Sequence, residues 1–147
     1  MRVVHVWLQV LKWQGYDRVM LQTGRGPPPA LATGQQVYGV RVEHYGLKES
    51  IAEDIARAGL VVSHGGAGTC LEVLEAGKPL VVVANHELMD DHQLELAEQL
   101  HTAGHAYCCN IEQLASTLLH VDPSKLRPFP RGDPSAFVCF LDNMLGL

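Results

Sequence analysis

The apolar positions of this chain change their spacing several times between the N-terminus and residue 121. In residues 3–11, Val3, Val4, Trp7, Leu8 and Leu11 recur at helical intervals, and Gly15 supplies a stop. RVMLQT (18–23) is short and apolar-rich and runs into GRGPPP, so it predicts a strand followed by a loop that Pro27–Pro29 cannot continue. VYGVRVEHY (37–45) alternates and predicts a second strand. LKESIAEDIARAG (47–59) places Leu47, Ile51, Ile55 and Ala58 on one helical face, with Gly59 as its end.

Continuous apolar runs then alternate with amphipathic ones. LVVS (60–63) and PLVVVA (79–84) are the runs expected of parallel strands covered on both faces. Between them Cys70–Ala76 reads as helix, stopped by Gly77 with Pro79 just beyond. DDHQLELAEQLHTAG (90–104) has an Asp N-terminus, an apolar face of Leu94, Ala97 and Leu100, and Gly104 as its stop. HAYCC (105–109) predicts a short strand, IEQLASTLLHV (111–121) a helix and SAFVCFLDNMLG (135–146) a terminal helix, with residues 122–134 as a surface connector. This alternation predicts one α/β domain over residues 1–147, a Rossmann-like doubly wound parallel sheet. Ligands of such sheets bind at the carboxyl ends of the strands, which are the loops after Thr23, Ser63 and Ala84, opening with Gly24, His64 and Asn85.

Charge and cysteine content narrow the function classes. With 11 Lys and Arg against 16 Asp and Glu, the formal charge of −5 argues against a nucleic-acid scaffold, so an anionic ligand needs a local site. Cys70, Cys108, Cys109 and Cys139 form neither a disulfide framework nor metal-ligand spacing, which fits a reducing cytosol. The first apolar run is broken by His5, Gln9 and Lys12 and lacks a cleavage signal, and no stretch approaches the roughly 20 apolar residues of a membrane span. A membrane connection is therefore expected only through a partner or a surface contact.

The chemistry concentrates in VVSHGGAGTCLE (61–72). A strand, a glycine-rich turn and a helix aim unpaired backbone N–H groups and the positive end of a helix dipole at one point, which suits an anion. Gly65, Gly66 and Gly68 allow close backbone approach, Thr69 adds a hydroxyl, and Glu72 one turn on can accept from sugar hydroxyls. The glycines alone fit equally a tight turn that merely permits close packing. The segment is neither G-x-x-x-x-G-K-[ST] nor G-x-G-x-x-G, which removes support for a kinase or NAD reading. NHELMDDHQ (85–93) follows the next strand and brings Asn85, His86, Asp90, Asp91, His92 and Gln93 to the same rim. It reads otherwise as an Asp-capped helix start with a solvated loop. His86, Glu87 and His92 lack H-E-x-x-H spacing, so no metal is expected, and no cofactor.

Together, SHGGAGTCLEVLEAGKPLVVV and NHELMDDHQLELAEQL resemble the UDP-GlcNAc-binding half of a GT-B glycosyltransferase. More narrowly, they are similar to the soluble-subunit family of the two-subunit UDP-N-acetylglucosamine transferases that add the second GlcNAc to dolichol-linked GlcNAc diphosphate. The resemblance includes GYDRVMLQTGRG (15–26) and LKESIAEDIARAGLVVSHGGAG (47–68). It implies diphosphate binding by Gly66, Ala67, Gly68 and Thr69, ribose contact by Glu72, and donor-sugar contacts by His92 and Gln93. It also implies a membrane-anchored partner subunit that carries the lipid-acceptor site and recruits this one to the cytosolic face of the endoplasmic reticulum. Members of that family begin with a strand and a Gly-Thr-rich loop, whereas this sequence begins within the first helix.

The reaction so implied is an inverting transfer with UDP as leaving group, its charge met by the 65–69 amides. The general base stays open among His64, His86 and His92, the partner and the first loop. The rival expectation is a truncated, noncatalytic partner-binding or regulatory form with an incomplete donor site.

Overall fold

The computed structural model describes residues 2–129 except 65, 86, 88 and 89. The expected terminal helix at 135–146, together with residues 130–134 of the connector, lies outside the described residues. Among the described residues the order is α1 (Arg2–Trp13), β1 (Arg18–Gln22), β2 (Gln35–Val37), β3 (Val40–Tyr45), α2 (Ala52–Arg57), β4 (Val61–Ser63), α3 (Ala67–Glu75), β5 (Leu80–Val83), α4 (Asp91–Thr102), β6 (Tyr107–Cys109) and α5 (Leu114–His120). A 3₁₀ turn at Pro123–Lys125 opens the connector.

The glycine stops act through one capping geometry. At Gly15, Gly77 and Gly104 the backbone is left-handed, with φ of 98°, 73° and 80°. In each case the glycine and the residue after it reach back to helix carbonyls: Gly15 to Lys12 and Tyr16 to Leu11, Gly77 to Leu74 and Lys78 to Val73, Gly104 to His101 and His105 to Leu100. Gly59 differs. The helix before it has already ended at Arg57, and a side chain at Gly59 would meet the Tyr16 ring at 3.3 Å.

Two expected elements are divided differently. The 37–45 segment is a hairpin rather than one strand: Val37 pairs with Val40 across a two-residue turn in which Tyr38 and Gly39 have φ of 53° and 78°. That is the primed turn whose twist matches its strands. The 47–59 helix shrinks to Ala52–Arg57 because the Ser50 hydroxyl accepts from the Ala52 amide at 3.2 Å, starting the helix late, and Leu47 stays 62% exposed outside it.

The strands form two three-stranded sheets. In the first, of order β1–β3–β2, β1 and β3 are parallel and β2 is the antiparallel hairpin arm. The second, of order β4–β5–β6, is wholly parallel, and its centre, Leu80, Val81 and Val82, is fully buried. On one face of the second sheet, α3 and α4 bury Cys70, Val73, Leu74, Leu96, Ala97 and Leu100 against Leu80 and Val82. On the other, Leu114 and Leu118 of α5 cover Val81 and Cys109, joined by Trp7, Val10 and Leu11 of α1. Leu8 of α1 turns instead into the core of the first sheet, against Val40 and Val42. One helix thus serves both sheets, and the Gln14 amide fixes its end by donating to the carbonyls of Leu118 and Leu119 at 3.1 and 2.6 Å. The Tyr16 ring lies against Gly59, just before β1 and β4 respectively, and in a doubly wound fold the carboxyl ends of the parallel strands share one rim.

Candidate functional site

Three loops make that rim. The first follows β1: the Thr23 amide and hydroxyl both donate to the Tyr45 carbonyl, at 2.9 and 3.1 Å, and the Gly24 amide donates to the Gly46 carbonyl at 3.0 Å. Gly24 itself is left-handed, with φ of 64°. The loops after β1 and β3 are therefore tied into one ledge.

The second loop follows β4. Ser63 is buried, His64 is exposed, and Gly66 is the N-cap of α3, accepting from the Cys70 amide at 3.0 Å. No side chain caps this helix start, so the first-turn amides of α3 lack the satisfaction a Ser or Asp cap would give. Neither Gly66 nor Gly68 has a left-handed backbone, and among the described residues a Cβ built at either meets no atom within 4 Å. Neither packing among the described residues nor backbone conformation accounts for these two glycines. Thr69 and Glu72 follow on the same helical face, Glu72 exposed. Gly65 and the side chain of Ala67 are outside what is described.

The third loop follows β5. The Asn85 side-chain oxygen accepts from the Glu87 amide at 3.0 Å, a turn that directs the chain toward α4. Asp90 then caps α4 reciprocally: its carboxylate accepts from the Gln93 amide at 2.8 Å, while the Gln93 side-chain oxygen accepts from the Asp90 amide at 3.3 Å. Gln93 is thus engaged through its oxygen in holding the helix start, and His92 beside it is exposed. His86 lies outside the described residues. Among the described residues no three His, Cys, Asp or Glu side chains gather to hold a metal. No described helix is long and apolar enough to cross a membrane.

A further rim cluster has no counterpart in the sequence reading. Tyr45 donates to the Asp54 carboxylate at 2.7 Å, Lys48 pairs with the same oxygen at 3.0 Å, and the Lys48 ammonium sits 4.0 Å from the centre of the Tyr45 ring. Hydrogen bonds from Tyr45 and then Lys48 hold the Asp54 carboxyl below the usual carboxylate range. Burial first, and then the bond to Asp54, pushes the Tyr45 hydroxyl up to about 12. The cluster clamps the 46–48 turn beside the Gly24 ledge. The sequence concealed it because reading 47–59 as one helix set Lys48 and Asp54 on that helix, away from Tyr45. The three described thiols are not poised for reaction, since burial pushes Cys70 up to about 11 and raises Cys108 and Cys109 as well.

Similarity to known proteins agrees with this geometry. Residues 3–141 match the glycosyltransferase family 28 C-terminal domain. The human UDP-N-acetylglucosamine transferase subunit ALG13 is 50% identical over 107 residues, covering 73% of this chain and 9% of the human protein. The Yarrowia lipolytica subunit of the same name is 34% identical over 101 residues, covering 69% of this chain and 52% of that protein. The chain therefore spans well under two thirds of the curated relatives it matches. Among solved structures, an NMR structure of ALG13 superposes with a TM-score of 0.68 at 23% identity, covering 95% of this chain and 88% of that one. Acinetobacter baumannii MurG superposes with a TM-score of 0.59 at 20% identity, covering 99% of this chain and 46% of that one. At such identities the superpositions establish the fold alone. The sequence match through residues 3–141 establishes the rest: this chain belongs to the glycosyltransferase family 28 C-terminal domain family, as an ALG13-like GT-B half-domain.

Proposed function

We propose that the chain binds UDP-GlcNAc at the rim of β4 and β5 and serves as the donor-binding subunit of an inverting N-acetylglucosaminyltransferase. The observation that carries this reading is the uncapped start of α3, where neither packing among the described residues nor backbone conformation requires Gly66 and Gly68. A diphosphate seated there takes hydrogen bonds from the first-turn amides and the favourable end of the helix dipole, both strengthened as UDP departs with its charge. Glu72, one turn along the same face, accepts from the ribose hydroxyls. His92 and the side-chain NH2 of Gln93 face the sugar, with His64 and Asn85 between the two loops. The printed name of the relatives, a subunit of a UDP-N-acetylglucosamine transferase, supports the same donor and implies a partner.

In this reading the acceptor is dolichol-diphosphate-GlcNAc, presented by a membrane-anchored partner at the cytosolic face of the endoplasmic reticulum. The acceptor hydroxyl attacks the anomeric carbon and loses its proton to a base, for which His64, His86 and His92 are the candidates on this chain. The test is transfer of GlcNAc from UDP-GlcNAc to a GlcNAc-diphosphate lipid by the chain together with that partner. Turnover that disappears with Glu72→Ala supports the reading. Stable partner binding without turnover or UDP binding would overturn it in favour of a noncatalytic partner-binding form.

A further inference from the structure

The parallel strands β5 and β6 have a second end, opposite the rim that carries the glycine loop. The chain enters them there through Lys78 and His105, and the connector after α5 runs beside both entrances. Among the described residues these segments enclose a cavity of about 230 Å³. Three of the side chains lining it are basic, Lys78, His105 and Arg127, and none is acidic, while Leu74, Leu126 and Phe129 give it an apolar wall.

The basic groups are held in place by the fold. Arg127 is tied to the α4–β6 turn through both of its backbone groups: its amide donates to the Gly104 carbonyl at 2.8 Å, and its carbonyl accepts from His105 Nδ1 at 3.0 Å. A carbonyl can only accept, so Nδ1 carries the hydrogen and Nε2 is the nitrogen left for another partner. Phe129 meets the His105 ring edge to face at 5.2 Å and fixes its plane. The stem of Arg127 lies over Gly104, where an added Cβ would come within 3.4 Å of Cγ and Cδ. Lys78 is half-buried behind the Gly77 stop. Arg18, Arg41, Lys48 and Arg57 all have carboxylate partners, yet among the described residues neither Lys78 nor Arg127 forms an ion pair. Asp122, the acid of the connector ahead of Arg127, is engaged by the Ser124 amide and hydroxyl at 3.0 and 2.6 Å. Cations also suit helix C-termini, and α3 and α4 both end here. The carbonyls of Val73, Leu74, Leu100 and His101 are already taken by the backbone amides of Lys78, Gly77, His105 and Gly104, which leaves the charged tips for something else.

We infer that this cavity binds a phosphate monoester carrying a small apolar group, at a site separate from the rim of the glycine loop. Lys78 and Arg127 match the two charges of the monoester, and the guanidinium fork can take two of its oxygens. Nε2 of His105 adds a third donor when the ring is protonated. The apolar wall covers the organic group, and a volume below the roughly 300–1,000 Å³ of drug-sized sites restricts that group to about one ring or a short chain. A soluble ester and a lipid headgroup share this chemistry.

The test is titration of the ¹⁵N-labelled full chain with phenyl phosphate. Amide signals of Lys78, His105, Leu126 and Arg127 should shift, and those of Thr69 and Gln93 should not. Lys78→Met and Arg127→Met should each weaken binding about tenfold or more, whereas Lys78→Arg keeps the charge and should retain it. Inorganic phosphate should bind at least about tenfold more weakly, since it leaves the apolar wall uncovered. Phosphatidylcholine vesicles containing phosphatidic acid separate the two sources: sedimentation of the chain that Arg127→Met abolishes identifies a headgroup, and a chain that binds phenyl phosphate but stays in solution identifies a soluble ester. Shifts confined to the first turn of α3, displacement of phenyl phosphate by UDP, or equal affinity for inorganic phosphate would each overturn the inference. So would a wild-type chain that binds no phenyl phosphate and loses stability in both methionine variants, as expected if the cations serve only the helix ends. A chain that takes phenyl phosphate here but no UDP would count against the donor-site reading alone.

Discussion

At the scale of single residues, Gly68 separates the two explanations of a glycine motif, because they predict opposite signs for one substitution. A methyl group at position 68 meets nothing among the described residues and the backbone there is not left-handed, so Gly68→Ala removes unfolded-state freedom at no native cost. Stability should rise by up to about 1 kcal/mol in urea unfolding. The same methyl group projects into the space assigned to the diphosphate, and UDP affinity measured by calorimetry should fall about tenfold or more, a loss of at least about 1.4 kcal/mol. A variant that is both more stable and equally able to bind UDP would place the ligand elsewhere. Glu72→Ala supplies the complementary case: an exposed side chain on the helix surface, expected to leave stability within about 0.5 kcal/mol while weakening UDP and leaving inorganic diphosphate binding unchanged, since only the nucleotide carries a ribose.

At the scale of elements, the hairpin and the Tyr45 clamp behave differently under perturbation. Tyr38 holds a left-handed backbone that asparagine adopts more readily, so Tyr38→Asn should raise the urea midpoint, by up to about 1 kcal/mol of stability. The clamp is sensitive to pH. Asp54 titrates below its ordinary range in the folded chain, so its contribution is present above that range and is lost as pH falls through the folded value. Tyr45 titrates at about 12 against an ordinary 10.0, so folding favours its neutral form and stability declines as pH rises from 10 to 12. Unfolding midpoints followed against pH should show both limbs, and Asp54→Asn should flatten the acid one. These two elements also mark what the sequence could reveal. The runs at 60–63 and 79–84 and the stops at Gly15, Gly77 and Gly104 were legible because burial on both faces and left-handed caps each demand particular residue types. The turn at Tyr38 was not, since a tyrosine carries no turn signal and VYGVRVEHY alternates through it. The late start of α2 was hidden for a related reason: the Ser50 hydroxyl, a local competitor for the backbone, prevailed over a helical apolar spacing that begins at Leu47. At the candidate site, Gly66 and Gly68, proposed to leave space for a ligand, were visible as a pattern, whereas Tyr45, Lys48 and Asp54 come together only through tertiary structure.

At the scale of the whole molecule, the division into two sheets makes α1 the joint on which cooperativity depends. Sheet-to-sheet hydrogen bonds are absent among the described residues, so the first sheet communicates with the second chiefly through one helix, whose Leu8 is buried among Val40 and Val42 while Trp7, Val10 and Leu11 pack beside Val81 and Leu114. Leu8→Ala should cost about 2–5 kcal/mol of packing at that point, and its effect should be uneven. Amides of β1 and β3 should exchange through a partial opening of the first sheet, while those of β5, whose core residues lie elsewhere, should keep the protection set by the second sheet. Leu80→Ala, in the centre of the second sheet, should cost a similar amount and lower the protection of β5, because it leaves no intact core on that side. Native-state hydrogen exchange of the two variants distinguishes the cases: if Leu8→Ala lowers β1 and β5 equally, the sheets unfold as one unit and α1 is not a joint. The separation also bears on the site, since the Gly24 ledge belongs to the first sheet and the α3 amides to the second. UDP bound across both would oppose the partial opening, and adding it to Leu8→Ala should restore part of the lost protection in β1.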